Sequence, residues 1–388
     1  MSAQHYFAPC PRGLEAILAD ELTALGARGV EPGSGGVAFA GDVTLALRAN
    51  LESRFASRIL LRLIHQPYRN EQDVFAIASG IDWDAWFDVG CTIKVETVAI
   101  RAPVKSLEFV SLKVKDAICD VFRGACGKRP SVNTQRPDMR IHVFLDEQTA
   151  TLYLDTSGEA LFKRGYRRGA GEAPLRENLA AGILKLAGWT PALPLFDPMC
   201  GSGTFLTEAA MMAMDRAPGL GRDFAFERFH GFDTALWQSL RDAALARIRP
   251  LPEGLISGRD EDATVLEHTR KHLAALGCAP QVALAVGDAL DATAPLAGDQ
   301  HGGLLVMNPP YGERMGEVEQ LAAWYPQLGD WLKQRFAGWT AWILTGDLKG
   351  IRSIGLAPSR KIPLFNGPID CRLLRYEMVA GARRRQPA

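Results

Sequence analysis

Phe196-Asp197-Pro198-Met199-Cys200-Gly201-Ser202-Gly203-Thr204 joins a short apolar run, Leu195 to Asp197, to an apolar helix, Phe205 to Met214. The two glycines let a ligand come close to the backbone, and the new helix presents unpaired amide hydrogens that favour negative charge. A dinucleotide site would need a third glycine where Leu206 stands and an acid roughly 20 residues further on. The next acid at a strand end is Asp260, far too distant, and no Gly-Lys-Ser/Thr of a phosphate-binding loop follows. The stretch therefore reads as strand, glycine turn and helix, with its ligand left open.

Outward from this turn the chain alternates between helix and strand. Helix Arg176 to Leu186 precedes it. After an insertion carrying helix Thr234 to Ile248, strand Leu255 to Gly258 leads to Asp260, and helix Ala263 to Leu276 follows. Strand Val282 to Val286 leads to Asp288, and Leu304 to Met307 leads to Asn308. Helix Leu321 to Phe336, strand Thr340 to Thr345 and a hairpin from Lys361 to Val379 complete the region. Such alternation predicts a doubly wound parallel sheet, whose ligands lie at the carboxyl ends of its strands. The polar residues singled out here all stand at such ends.

Asn308-Pro309-Pro310-Tyr311 ends its strand sharply, because two prolines donate no ladder hydrogen bonds. The Asn308 side-chain carbonyl and the Pro309 carbonyl offer two acceptors, and Tyr311 offers a flat face. That combination suits a planar amino group; an ordinary strand end and turn reads the same way from this dipeptide alone.

Upstream, Tyr6 to Leu51 reads strand, helix, strand, helix, with Asp42 as a helix cap, a ferredoxin-like α+β module. Ser57 to Thr156 is a second α+β segment. Its helix Ser111 to Arg123 turns Leu112, Ala117, Ile118 and Val121 inward, and its hairpin bends at Asp146-Glu147-Gln148. Between Arg101 and Arg140 nine Lys or Arg face four Asp or Glu, and Lys105, Lys113, Lys128 and Arg129 are among them. A solvated helix face and an RNA-contacting surface both account for that bias. Lys163-Arg164-Gly165-Tyr166-Arg167-Arg168 reads as a basic linker whose charges suit phosphate and whose Tyr166 suits a base. The expected domains are 1–56, 57–160, a linker 161–174, and 175–388.

With 44 basic and 44 acidic residues the net charge is zero, so any nucleic acid must be met by local basic patches. Seven cysteines without a Cys-x-x-Cys pair fit reduced thiols, and Cys200 reads as packing. The polar stretch Met1 to Arg12 lacks the core of a signal peptide, and no apolar run is long enough to span a membrane. A cytoplasmic location is expected. His268 and His272 have helical ligand spacing but lack the His-Glu-x-x-His order, so they read as a solvated face without metal.

Acid, glycine turn, acid, acid and Asn-Pro-Pro-Tyr, each at a strand end and in this order, resemble the class I S-adenosylmethionine-dependent methyltransferases. Lys163 to Arg167, Ala173 to Ala181, Asp197 to Thr204 and Asn308 to Arg314 are similar to the THUMP-domain RNA methyltransferases, nearest to the ribosomal RNA large subunit methyltransferase L type. The resemblance implies a Rossmann-like class I methyltransferase domain preceded by a ferredoxin-like plus THUMP α+β RNA-binding arm. It implies that Asp197, Gly201, Gly203 and Thr204 hold the methionine part of S-adenosylmethionine, with Asn178 and Asn308 bordering the pocket. Asp260 would take the ribose hydroxyls and Asp288 the adenine amine. Asn308, Pro309 and Tyr311 would grip the exocyclic N2 of a guanine, with 23S rRNA as the expected partner. In several bacteria this unit is fused to a second methyltransferase, whereas here the chain stops at Ala388. The alternatives are tRNA guanine-N2 methylation, adenine-N6 or protein-glutamine methylation, and a non-catalytic RNA-binding assembly factor.

Overall fold

The computed structural model describes residues 3–167, 175–295, 302–310 and 317–379, with side chains from 323 in the last stretch. The chain divides into two compact units: one of residues 1–10, 18–161 and 219–243, the other of 11–17, 162–218 and 244–388.

In chain order the first region runs β1 (Gln4–Pro9), α1 (Glu15–Ala24), β2 (Arg28–Gly33), β3 (Gly36–Gly41), α2 (Val43–Glu52), β4 (Leu60–Pro67) and α3 (Glu71–Ser79). It continues with β5 (Ile93–Ala99), α4 (Leu107–Cys126), β6 (Met139–Leu145) and β7 (Thr149–Asp155). Asp42 caps α2 by accepting from the Leu45 amide at 2.8 Å, as its sequence position predicts. Ser106 caps α4, which ends at Gly127 in the left-handed conformation. The buried face of α4 is Val110, Val114, Ala117, Ile118 and Phe122, packed on β5, β6 and β7. Leu112, expected inside, is 49% exposed, because it stands on the opposite side of the helix from Val110 and Val114.

The strands form one sheet in the order β2-β3-β1-β4-β7-β6-β5. β4 pairs antiparallel with β1 on one side and with β7 on the other. The sequence boundary expected at 56/57 thus falls within a single continuous sheet. Buried Asn50 reinforces it, bonding Thr156 Oγ1 at 2.8 Å and accepting from Ser157 Oγ at 2.6 Å.

The second region holds α5 (Glu177–Leu186), β8 (Leu195–Asp197), α6 (Thr204–Ala213), α7 (Thr234–Ala246), β9 (Ile256–Asp260), α8 (Ala263–Leu276) and β10 (Val282–Val286). Then come β11 (Leu304–Met307), α9 (Glu317–Arg335), β12 (Thr340–Thr345), β13 (Arg360–Asn366) and β14 (Ile369–Glu377). Most of the insertion, residues 219–243, belongs to the first unit. There Arg222 donates to the carbonyls of Ser157, Glu159 and Ala160 at 3.0, 2.5 and 2.6 Å.

The second sheet has the order β10-β9-β8-β11-β12-β14-β13, parallel from β10 through β12, with β14 antiparallel to both of its neighbours. Consecutive connections leave β8 in opposite directions, so β8 and β11 flank a topological switch point, where such sheets bind ligands. Tyr325, Leu328 and Leu332 recur at helical spacing on α9, Phe336 follows its last residue, and all four are fully buried against Phe196, Leu305, Met307 and Ile343. Each such side chain contributes about 1.5–3 kcal/mol by leaving water.

Gly329 lets α9 meet the 3-10 turn Gly350–Ile354 closely: a Cβ there would lie 1.7 Å from the Ile354 carbonyl oxygen. Helix propensity alone predicts that Gly329→Ala stabilises by about 0.5–1 kcal/mol. The blocked approach reverses the sign. A loss of about 1–3 kcal/mol is expected, read as a lower urea midpoint.

Candidate active site

Strand register decides which of the strand-end residues become neighbours. Asp197 pairs with Gly258, two residues before Asp260, and Asp260 pairs with Val286, two before Asp288. On the other side of β8, Phe196 pairs with Leu305, three residues before Asn308. Asp197, Asp260, Asp288 and Asn308 therefore line one end of the sheet. A cleft of about 490 Å³ at the other end, lined by Gly303, Leu304, Thr340 and Arg375, carries neither acid nor nucleophile.

The glycine turn is held open from several directions. Gly201 and Gly203 have φ of +53° and +76°, a conformation that other residues adopt at a cost. A Cβ on Gly203 would strike Thr269 at 2.4 Å, whereas one on Gly201 would meet nothing within 4 Å among the described residues. The Gly201 amide donates to Asp260 Oδ2 at 2.8 Å, and the Asp262 amide to Asp260 Oδ1 at 3.1 Å. From α8, Thr269 Oγ1 donates to the Gly201 carbonyl at 2.8 Å, and His272 Nδ1 lies 3.0 Å from the Ser202 carbonyl. Asp288 is exposed and caps the following turn through the Leu290 amide at 2.8 Å.

Asp197 is buried and accepts from the Met199 amide at 3.1 Å. Burial pushes its carboxyl well above the ordinary range; the charge of Asp260 adds to this, and the Met199 amide opposes it. A carboxyl raised by folding stabilises the folded chain below the ordinary carboxyl range, and that contribution disappears as pH rises through the folded value. Asp197→Asn is therefore expected to melt above the wild type at neutral pH without ligand, the gap closing on acidification. Each kcal/mol relieved raises the midpoint by roughly 2–4 °C in thermal melts across pH.

β11 is buried along its whole length, Asn308 is half-buried at its end, Pro309 is buried and Pro310 exposed. Tyr311 lies outside the described residues. Asn178 is buried on α5. Thr204 is the first residue of α6, and its hydroxyl accepts from Arg167 Nη2 at 2.6 Å. Cys200 is buried, and burial pushes its thiol well up, as packing requires and a nucleophile does not. Among the described residues no group of three or more His, Cys, Asp or Glu is placed to hold a metal ion.

Four expectations need correcting. Arg164 is 3% exposed and paired with buried Glu208 at 3.3 Å, so it cannot reach RNA phosphate. Tyr166 is 6% exposed, with its hydroxyl 3.1 Å from Thr207 and its ring edge-on to His272, so it has no face left for a base. Together with Arg167, these residues belong to the second unit rather than to a solvated linker, since the buried Glu208 and Glu177 side chains supply their counter-charges. His272 is likewise buried against the glycine turn, not solvated. Its i, i+3 spacing from Thr269 was the available signal for a second face on α8.

Of the other basic residues, Lys105, Lys128, Arg129 and Lys163 are exposed. Lys113 places Nζ over the rings of Phe109 and Phe75 at 5.4 and 5.7 Å. Arg168 lies outside the described residues.

Comparison with known proteins matches residues 164–375 to the family model described as RMKL-like, methyltransferase domain. Residues 68–155 match the THUMP domain and 5–60 the RlmL ferredoxin-like domain. A relative from Synechocystis sp., named "Putative RNA methyltransferase slr0064", is 40% identical over 374 residues, covering 96% of each chain. Ribosomal RNA large subunit methyltransferase K/L of Cellvibrio japonicus is 39% identical over 385 residues, covering 96% of this chain and 51% of its own length. This chain thus spans about half of that relative. The crystal structure of "SMU.472, a putative methyltransferase complexed with SAH" superposes with a TM-score of 0.85 at 30% identity, covering 98% of this chain and 100% of the other. No helix among the described residues is long and apolar enough to cross a membrane.

Proposed function

This chain belongs to the RMKL-like methyltransferase family, and from that premise we propose that it methylates the exocyclic N2 of a guanine in 23S rRNA, using S-adenosylmethionine. The observation that carries the reading is the alignment of Asp197, Asp260 and Asn308 at one end of adjacent strands, around a glycine turn where no described residue would meet a Cβ on Gly201. Those residues suit the donor: backbone unencumbered by Cβ, and carboxylates able to accept from amine and hydroxyl groups. When bound, S-adenosylmethionine supplies a sulfonium methyl ready for displacement.

The chain's own contribution is positioning. Asn308 Oδ1 and the Pro309 carbonyl accept the two hydrogens of the target amine. The lone pair is thereby drawn out of conjugation with the ring and aimed at the methyl carbon. Transfer of the methyl to that nitrogen would leave S-adenosylhomocysteine as the product, and the surplus amine proton would pass to water. Catalysis of this kind rests on orientation and electrostatic fit. Tyr311 is proposed as the stacking face for the base, Asp260 as the ribose acceptor and Asp288 as the adenine acceptor. Asn178, Gly203 and Thr204 complete the donor pocket. Lys105, Lys113, Lys128, Arg129 and Lys163 are proposed to meet RNA phosphate.

The large-subunit rRNA assignment draws on the K/L relative, 39% identical across 96% of this chain. A nucleoside-resolved map of rRNA and tRNA from cells lacking the protein tests it. One N2-methylguanosine is expected to vanish from 23S rRNA. Its loss from tRNA with rRNA unchanged would replace the substrate, and loss of N6-methyladenosine instead would replace the target atom.

A further inference from the structure

Arg167 occupies a place that neither an RNA contact nor a solvated linker explains. Its side chain is only 18% exposed, with Nη1 3.3 Å from Glu177 Oε1. Nη2 donates to Thr204 Oγ1 at 2.6 Å and approaches Ser202 Oγ at 3.5 Å. Its Nε is buried and has no hydrogen-bond partner among the described residues. The neighbouring Arg164 and Tyr166 side chains, anchored on Glu208 and Thr207, hold the segment against α6.

The guanidinium therefore stands at the first turn of α6, beside the glycine turn. A cation at a helix N-terminus is disfavoured by the helix dipole unless an anion joins it. Glu177 supplies one, but the planar fork still holds an unspent Nε–H and spends Nη2 on a neutral hydroxyl. Such a fork matches a carboxylate with two parallel hydrogen bonds. The strand ends around it are acidic: Asp197, Asp260 and Asp288 suit the donor's ammonium, ribose and adenine groups and would repel its carboxylate. Charge complementarity leaves that carboxylate to Arg167.

We propose that Arg167 binds the α-carboxylate of the methyl donor, exchanging its bond to Thr204 for a charge-assisted one. This rests on the reading of the site as a methyl-donor pocket, and the test separates the two. Binding of S-adenosylhomocysteine and of 5'-methylthioadenosine, which lacks the amino-acid portion, is measured calorimetrically on the full chain. Arg167→Gln is expected to weaken S-adenosylhomocysteine by about 30- to 100-fold, and 5'-methylthioadenosine by less than about twofold. Arg167→Lys keeps the charge but not the fork, so it should recover part of the loss.

Equal weakening of both ligands by Arg167→Gln would mean that Arg167 merely braces the loop. Unchanged S-adenosylhomocysteine affinity with a raised KM for RNA would return it to an RNA role. Should Arg167→Gln fail to fold, the Arg167→Lys comparison decides alone: losses equal for the two ligands, or absent for both, overturn the proposal. A wild-type chain that binds neither ligand would overturn the methyl-donor reading itself.

Discussion

Asn308→Ala is expected to lower methyl transfer about a thousandfold while leaving S-adenosylhomocysteine affinity within a few-fold of wild type. The magnitude is that of losing one preorganised group aimed at the reacting atoms, about 10²–10³ in kcat. Asn308 stands half-buried at the end of a strand whose four residues are all inaccessible to solvent, so its backbone is held rigidly. Truncation removes one of two proposed amine acceptors and leaves the Pro309 carbonyl unable to orient the amine alone. The donor's proposed contacts are made mainly by the neighbouring strand ends, so donor binding should survive. Single-turnover transfer together with calorimetric binding separates the effects. Transfer within tenfold of wild type would sink the proposed mechanism.

Asp260→Ala is expected to do the reverse, weakening donor binding by about a hundredfold or more. Two charge-assisted hydrogen bonds to ribose hydroxyls are worth about 1.5–3 kcal/mol each in the favourable case. The substitution also strips the Gly201 and Asp262 amides of their acceptor, which loosens the glycine turn. Asp260→Asn retains an acceptor and should lose less. Titration with S-adenosylhomocysteine reads both variants; an Ala variant that binds as tightly as the wild type would remove Asp260 from the donor site.

Much of the site was legible because local chemistry marks the strand ends. Pro309 and Pro310 must stop β11 wherever the strand lies in the sheet, and the glycine turn at 201–203 must separate β8 from α6. Asp42 could be read as a cap from its own neighbourhood, and the structure places it so. The misreadings share a different cause. Lys163 to Arg167 looks solvated because cations beside glycine usually are, yet Arg164 finds its counter-charge 44 residues away in Glu208. His272 looks solvated because Lys271 and Arg270 flank it, yet its partner is the carbonyl of Ser202, 70 residues earlier. Leu112 was placed inside α4 by hydrophobicity alone, when the packing of Val110 and Val114 turns it outward.

Sequence by itself determined the alternation of helix and strand, the acid or amide closing each strand, and the resemblance those ends carry. These follow from backbone rules acting within a few residues: missing amides, left-handed turns and side-chain periodicity. Tertiary structure alone decided that β8 lies between β9 and β11, bringing Asp197 beside Gly258 and Phe196 beside Leu305. It alone joined the two N-terminal modules through β4 and moved Arg167 from an expected RNA contact to the glycine turn. A strand's hydrogen-bonding edge is the same whichever strand lies beside it, and burial of a charge depends on partners far away in the chain. Both are set by the sum of distant contacts.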